Sequence, residues 1–477
     1  MKKNRYKIIF NAIACSLIII SCKTSEPLEN NTLKKIPKSF AASKDSSNSA
    51  DITWKGYFTD PNLVELIDVS LKNNMDMLIA LQRIEAAGAV IRLKKGAMLP
   101  SLNIGVSAAQ RRFGLYTMDG AGNISTQITP GQIVPINLPD YFIGLQTSWE
   151  IDVWGKLRNK KKAAIARYLS SVEGRNAVVT NLIADLANLY YELLALDNEL
   201  DIIRETIKLQ ENALELISIQ KQAGVANELA VQQFQALVFN SKAMEFEVLQ
   251  KISEIENKIN FLLGRYPQTI IRNKSELNKA LPFKPNIGIP TNLLKNRPDI
   301  KQAEFDLIAS KADVKSAKAA FYPSLNINGS LGFQAFKTGL LFTNPQSLAY
   351  SLLGNLMAPL INRSAIKAEF KTANALQQEA LYNYQKTILN GYVEVYNEVA
   401  RINNLEKIVD FKTQQANALT QSIEISSDLF KTGRATYVEV LMTQQGSLQS
   451  KLEVIDAKKR QYNAVVDIYK ALGGGWK

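Results

Sequence analysis

The sequence contains no histidine in 477 residues. The commonest general base and the commonest metal ligand are therefore missing. Cysteine occurs only at Cys15 and Cys22, so disulfide, zinc and thiol chemistry are closed to the rest of the chain. No nucleotide-binding motif is present, and no carboxylate or lysine cluster sits in a loop context. No catalytic residue, metal ligand or cofactor is assigned, apart from a covalent lipid considered below. The net charge of +13 includes four positives in the first seven residues, leaving about +9 beyond them. A dense basic stripe interleaved with aromatics is also lacking. The densest run, Arg158-Asn159-Lys160-Lys161-Lys162, reads as a solvated helix end, and nucleic acid is not expected as a partner. Proline is absent from Asp140 to Tyr266 and again after Pro359. A proline inside a helix costs about 3 kcal/mol, so these are the places for very long helices.

The N-terminal segment reads as an export signal. Lys2, Lys3, Arg5 and Lys7 precede an apolar run from Ile8 to Ile20, broken only by Asn11 and Ser16. That run is too short for an ordinary transmembrane helix. It ends at Ile19-Ile20-Ser21-Cys22, which resembles the lipobox of bacterial lipoproteins. The resemblance implies that Cys22 carries a lipid and becomes the new N-terminus. Cys15 is the weaker candidate, with only a short apolar stretch before it. Lys23 follows Cys22, so no Asp is there to signal inner-membrane retention. The Ser-, Asn-, Lys- and Thr-rich stretch up to residue 50 reads as a flexible tether.

The strongest internal signal is a duplication. Pro100-Ser101-Leu102-Asn103-Ile104 recurs as Pro323-Ser324-Leu325-Asn326-Ile327, at an offset of 223. Asp76 and Asp299 share that offset. Ala223-Gly224 recurs as Thr432-Gly433, and Leu263-Gly264 as Leu472-Gly473, both at 209. The first half therefore carries a 14-residue insertion between Pro100 and Gly224. The boundaries expected are a signal peptide at 1–21, a lipid-anchored tether at 22–50, a first repeat at 51–273, a linker at 274–290 and a second repeat at 291–477.

Periodicity assigns the elements. Leu182, Leu186, Leu189, Leu193, Leu196, Leu200, Ile203 and Ile207 step by four and three in turn, the 3.5-residue repeat of a coiled-coil seam. The seam resumes after Gln210 with Leu214 and Ile217. Each half is expected to hold a helix ending near Ala97 or Ala320, then two strands. A long helix follows, over about Leu157–Gln222 or Ala365–Lys431. A tight turn at Gly224 or Gly433 leads to a returning helix that ends at Gly264 or Gly473. The long helices would measure roughly 100 Å at 1.5 Å per residue. Leu102, Ile104 and Val106 alternate with polar or small residues, as do Ile143, Leu145, Thr147, Trp149, Ile151 and Val153, and Leu325, Ile327, Leu331 and Phe333. Apolar on one face and polar on the other, over about ten residues, is the transmembrane barrel pattern.

Four strands cannot close a barrel, and lipid does not tolerate an open sheet edge. Three copies would supply 12 strands, an even number in the range found for such barrels. The fold expected is mainly α with a small β part: long antiparallel helical hairpins forming an α-barrel, four transmembrane strands per chain and two structural repeats. The insertion, with Gly120-Ala121-Gly122-Asn123 and Gly131, is expected as an exposed loop over 116–140, facing the cell exterior.

Four motifs resemble the TolC-like outer-membrane factor family, in its NodT-type lipoprotein branch. The first is Pro290-Thr291-Asn292-Leu293-Leu294-Lys295-Asn296-Arg297-Pro298-Asp299-Ile300, the family's inter-repeat signature. Trp149-Glu150-Ile151-Asp152-Val153-Trp154-Gly155-Lys156 is similar to its strand-to-helix junction. Gly433-Arg434-Ala435-Thr436-Tyr437-Val438-Glu439-Val440-Leu441 is similar to its second hairpin tip, and Tyr469-Lys470-Ala471-Leu472-Gly473-Gly474-Gly475-Trp476 to its C-terminal ending. One departure is Pro359-Leu360-Ile361-Asn362-Arg363-Ser364, where Phe and Gly are expected at Ile361 and Ser364. The resemblance implies a homotrimeric outer membrane exit duct that passively conducts small molecules. Its partners would be a periplasmic adaptor, an inner-membrane pump and outer membrane lipid. Gly224, Val225, Ala226, Asn227 and Glu228 would meet the adaptor together with Gly433, Arg434, Ala435 and Thr436. Asp428, four residues before Thr432, is a candidate for an acidic gate, set against an ordinary solvated helix carboxylate. The alternatives are a duct for protein secretion or metal-ion efflux, and a periplasmic coiled-coil scaffold lipoprotein.

Overall fold

The computed structural model describes residues 48–279, 286–359, 361 and 363–477. Cys22, the signal segment and nearly all of the tether lie outside the described residues, as do six positions of the expected linker and Leu360 and Asn362. Among the described residues the principal helices are α1 (Pro61–Asn73), α2 (Met75–Gly96), α3 (Met118–Ser125), α4 (Lys156–Gln222), α5 (Glu228–Leu262), α6 (Pro298–Ala319), α7 (Ser364–Lys431) and α8 (Tyr437–Ala471). The strands are β1 (Ser101–Arg112), β2 (Gln127–Thr129), β3 (Gln132–Ile133), β4 (Asn137–Ile151), β5 (Ser324–Ala335) and β6 (Leu348–Met357). The molecule is mainly helical, with its very long helices α4 and α7 inside the two proline-free stretches.

Two compact units divide the chain. One is built from Ala87–Tyr168 and Asp306–Leu381, the other from 48–86, Leu169–Phe305 and Tyr382–Lys477. The first unit holds a four-stranded antiparallel sheet in the order β1-β4-β5-β6. Each hairpin is local, but β4 pairs with β5, Tyr141 opposite Ala335 through Ile151 opposite Leu325. Where the strands meet the helices, Trp154 stacks on Tyr322 at 4.9 Å and donates its indole N–H to Pro323 O at 2.7 Å. A small core of Val314, Ala317, Phe370 and Ala373 packs beside Phe321.

In the second unit the 3.5-residue seam is the core. Leu186, Leu193 and Ile203 are fully buried, joined by Tyr190, Leu194 and Ile259. The residues that open α6 are tied to the C-terminal end. Buried Arg297 donates to Asp299 at 2.6 and 3.0 Å, to Glu394 at 2.6 Å and to Ala471 O at 2.9 Å. Trp476 donates to Asn296 O at 2.8 Å. A second buried-side ion cluster joins Arg272 to Asp197 at 2.6 Å and to Glu256 at 2.5 Å.

Two expectations are corrected. The segment 116–140 is not a plain loop: it holds α3 and the β2–β3 hairpin, and β4 begins inside it at Asn137. The Thr117 hydroxyl accepts from Gly120 N–H at 3.1 Å, so a cap offsets the glycines that suggested a loop. The strand expected to reach Val153 ends at Ile151. Asp152 turns away to accept from Leu157 N–H at 2.9 Å and Arg158 N–H at 2.8 Å, satisfying the free donors at the start of α4.

Candidate functional site: hairpin tips and an apolar strand face

The tips follow one design. Gly224 takes φ +75° and Gly433 φ +69°, the left-handed conformation that glycine adopts without a Cβ clash. At the first tip Val225 and Ala226 N–H groups donate to Gln220 O at 2.8 and 3.2 Å; at the second, Arg434 and Ala435 donate to Leu429 O at 2.9 and 3.2 Å. Asn227 then accepts from Ala230 N–H at 2.9 Å to start α5. At the second tip the Glu439 carboxylate accepts from Thr436 N–H at 2.5 Å and from its hydroxyl at 3.1 Å, starting α8.

Charge distinguishes the two. Glu228 pairs with Lys221 and accepts from Gln232 at 2.7 Å, and these hydrogen bonds hold its carboxyl below the usual range. Arg434 occupies the second tip, exposed to solvent, where Val225 stands exposed on the first. Behind the tips, Ile217, Ala230 and Phe234 of the first hairpin cluster with Val440 of the second, and Phe430 and Tyr437 pack against them. The two hairpins thus meet through the apolar residues behind their tips, and of the expected tip residues only Ala226 packs against that cluster.

The sheet has two unlike faces. Residues opposite one another in register share a face, and one face carries the rows Ile104–Leu145–Leu331–Tyr350 and Val106–Ile143–Phe333–Leu348. The other carries Asn103–Gln146–Ser330–Ser351, with the Ser330 and Ser351 hydroxyls 2.8 Å apart. The apolar face is bare: Ile104 is 75%, Val106 77% and Leu352 79% exposed. A water-soluble sheet packs such a face against a core. Strand lengths of 10 to 15 residues meet the roughly 9–11 that a tilted strand needs to cross a bilayer. No helix among the described residues is long and apolar enough to cross a membrane, which leaves a strand route untouched.

The sequence profile of the outer membrane efflux proteins matches residues 66–265 and 289–474, most of the chain. The chain belongs to the outer membrane efflux protein family. It is similar to the probable outer membrane lipoprotein SilC of Salmonella typhimurium, at 26% identity over 477 residues covering 99% of each chain. It is also similar to the toluene efflux pump outer membrane protein TtgI of Pseudomonas putida, at 28% identity over 423 residues, 88% of this chain and 87% of that one. Among solved structures, the open state of the MtrE outer membrane channel of Neisseria gonorrhoeae matches with a TM-score of 0.82 over 96% of this chain and 99% of that one. Its identity is 23%, so the likeness is one of fold. The resemblance to TolC-like factors is thereby shown. The efflux protein resides in the outer membrane, and its relatives are transport channels.

Within this efflux protein, Asp428 lies near the end of α7, 76% exposed, and pairs with Lys431 at 3.2 Å. Its carboxylate faces solvent on the single chain. The Arg297 network had only a partial sequence signal: Pro298 and Asp299 announce a helix start, but Glu394 and Ala471 lie 97 and 174 residues away. Gln210, which interrupts the seam, is fully buried, and neither amide atom has a partner among the described residues.

Proposed function

We propose that three copies of this efflux protein form the exit duct of a tripartite efflux system. Four strands from each copy close a 12-stranded barrel whose apolar face meets lipid. The helical hairpins of the three copies line a passage through the periplasm. The two successions of helix, strand pair and long hairpin are a duplicated unit. The tips at Gly224–Glu228 and Gly433–Thr436 meet a periplasmic adaptor, itself bound to an inner-membrane pump. Small molecules pass without covalent chemistry, and the pump supplies the energy. A lipid on Cys22 adds a second hold on the membrane.

One observation carries this reading: a sheet with a bare apolar face and two edge strands, β1 and β6, that have no further strand beside them among the described residues. An open edge in hydrocarbon leaves backbone groups without partners, at several kcal/mol each. Neighbouring copies supply those partners. Asp428 then stands near the narrow end of the passage, where three copies bring three carboxylates together as a gate.

The test is made on detergent-solubilised protein and planar bilayers. A lipid-modified trimer with a gated conductance is expected. Asp428→Ala should lower cation selectivity and loosen resting closure. A monomer released without detergent would overturn the duct, and an unchanged Asp428→Ala channel would overturn the gate alone.

A further inference from the structure

The two offsets of the duplication, 223 before the insertion and 209 after it, come from sequence landmarks, three of which lie outside the strands. They can be tested on strand pairing. In the first hairpin Ser101 pairs with Ser148 and Gly105 with Gly144. Moving the first member of each pair by 223 and the second by 209 gives Ser324 with Met357 and Asn328 with Leu353. Both pairs are observed in the β5–β6 hairpin. The hairpins therefore share one register, pair by pair, with nothing adjusted.

The hairpins are joined through β4 and β5, with Tyr141 opposite Ala335, Leu145 opposite Leu331 and Thr147 opposite Gly329. By the same offsets, β6 is the duplicate of β4, and β1 is the duplicate of β5. The two open edges of the sheet are thus second copies of the two strands that already pair inside it. A ring of alternating hairpins repeats that junction wherever β6 of one copy meets β1 of the next.

We propose that β6 pairs with β1 of a second copy of this chain in the register set by the β4–β5 junction: Tyr350 opposite Arg112, Gly354 opposite Ala108 and Leu356 opposite Val106. The proposal rests on the trimeric barrel reading. Barrel closure links strand tilt and stagger, so equal junctions give an even stagger around the ring. Faces also match. Each of these pairs joins apolar-face positions, whereas a slip of one residue would set Leu356 against the polar face. A slip of two keeps the faces but makes the two junctions unequal. On the polar face Asn355 comes opposite Ser107. At the outer end, exposed Tyr350 receives the exposed Arg112 guanidinium, a pairing of ring and cation that neither residue has among the described residues of its own chain.

Disulfide trapping tests the register on the full-length protein in its membrane. Facing residues of an antiparallel pair lie about 4.5–5.5 Å apart, within reach of a disulfide, while diagonal neighbours lie about 7–8 Å apart and outside it. β1 and β6 of one chain are three strands apart, about 14 Å, so any bridge joins two copies. A Cβ at Gly354 has open space around it. Ala108→Cys with Gly354→Cys should give covalent dimers and trimers on oxidation. Val106→Cys or Gln110→Cys with Gly354→Cys should not, nor should any single variant, which controls for Cys22. Ser107→Cys with Asn355→Cys repeats the test on the other face should the first pair fail to assemble. Trapping through Val106 or Gln110 with Ala108 silent overturns the register and leaves the trimer standing. Silence of every pair in a protein that sediments as a trimer overturns the β6–β1 junction; silence in a monomer removes the barrel reading as well.

Discussion

Gly433 and Gln210 show how single positions hold this protein. Nothing stands within 4 Å of a Cβ placed on Gly433, so a side chain there meets only the backbone penalty of positive φ. Gly433→Ala should lower stability by about 1–2 kcal/mol, seen as an earlier thermal unfolding of the detergent-solubilised protein. Gly433→Asn should cost less, because asparagine visits this conformation more readily. Equal losses would mean that the turn is not what glycine serves. Gln210 is the opposite case. Its amide is buried without a partner among the described residues, which costs about 1–3 kcal/mol. Gln210→Leu should raise the unfolding temperature by a corresponding amount. A fall would reveal a partner beyond the described residues of the single chain. A lone polar residue in an apolar seam can also define its register, and the leucine variant then gains stability while its hairpins lose a unique alignment.

Among the elements, the strands make the most discriminating claim, because side chains two positions apart share a face and neighbours oppose it. Leu331 and Ser330 are adjacent in β5 but lie on opposite faces. On the proposed barrel, Leu331→Lys should block assembly into the outer membrane, since a lysine facing lipid costs about 2–4 kcal/mol near the bilayer centre. Ser330→Lys should assemble normally and shift conductance towards anions. Membrane fractionation with bilayer recording separates the two. If both variants assemble alike, the faces have been assigned wrongly. The helices depend instead on their ends. Asp152 and Asn227 each accept backbone N–H groups at the start of a helix, so α4 and α5 begin where a cap is encoded.

For the molecule as a whole, ionisation in the helical unit sets a pH dependence. Burial raises the carboxyls of Asp185, Glu199 and Glu398, more than nearby lysine and arginine lower them. A carboxyl whose folded value lies above its unfolded value binds its proton more tightly when folded, so stability falls as pH rises through that range. Unfolding temperature should therefore rise as pH falls from neutral towards the ordinary carboxylate range. Glu228 and Glu453, held low by Lys221 and Lys412, oppose this once the pH falls into that range and below it. A melting series from pH 7.5 to 5 checks the sign, and a steady fall on acidification would reject it.

Much of this fold is local and could be read from residues in order. Absent prolines and the 3.5-residue repeat located α4 and α7, two glycines located the tips, and alternation located the strands, because helix period, turn chemistry and strand alternation act over a few residues. The Thr117 cap and the turn at Asp152 are local too, but glycines masked the first and an apolar Val153 the second. Family motifs make the function legible in the sequence itself. What could not be read was which distant residues meet. Alternation says which face a residue occupies, never which strand lies beside it, and so the β4–β5 junction was invisible. Arg297 likewise finds Glu394 and the Ala471 carbonyl only once the helices have packed. Such contacts depend on loop closure over 97 residues or more, and it is the packing of whole elements that selects them.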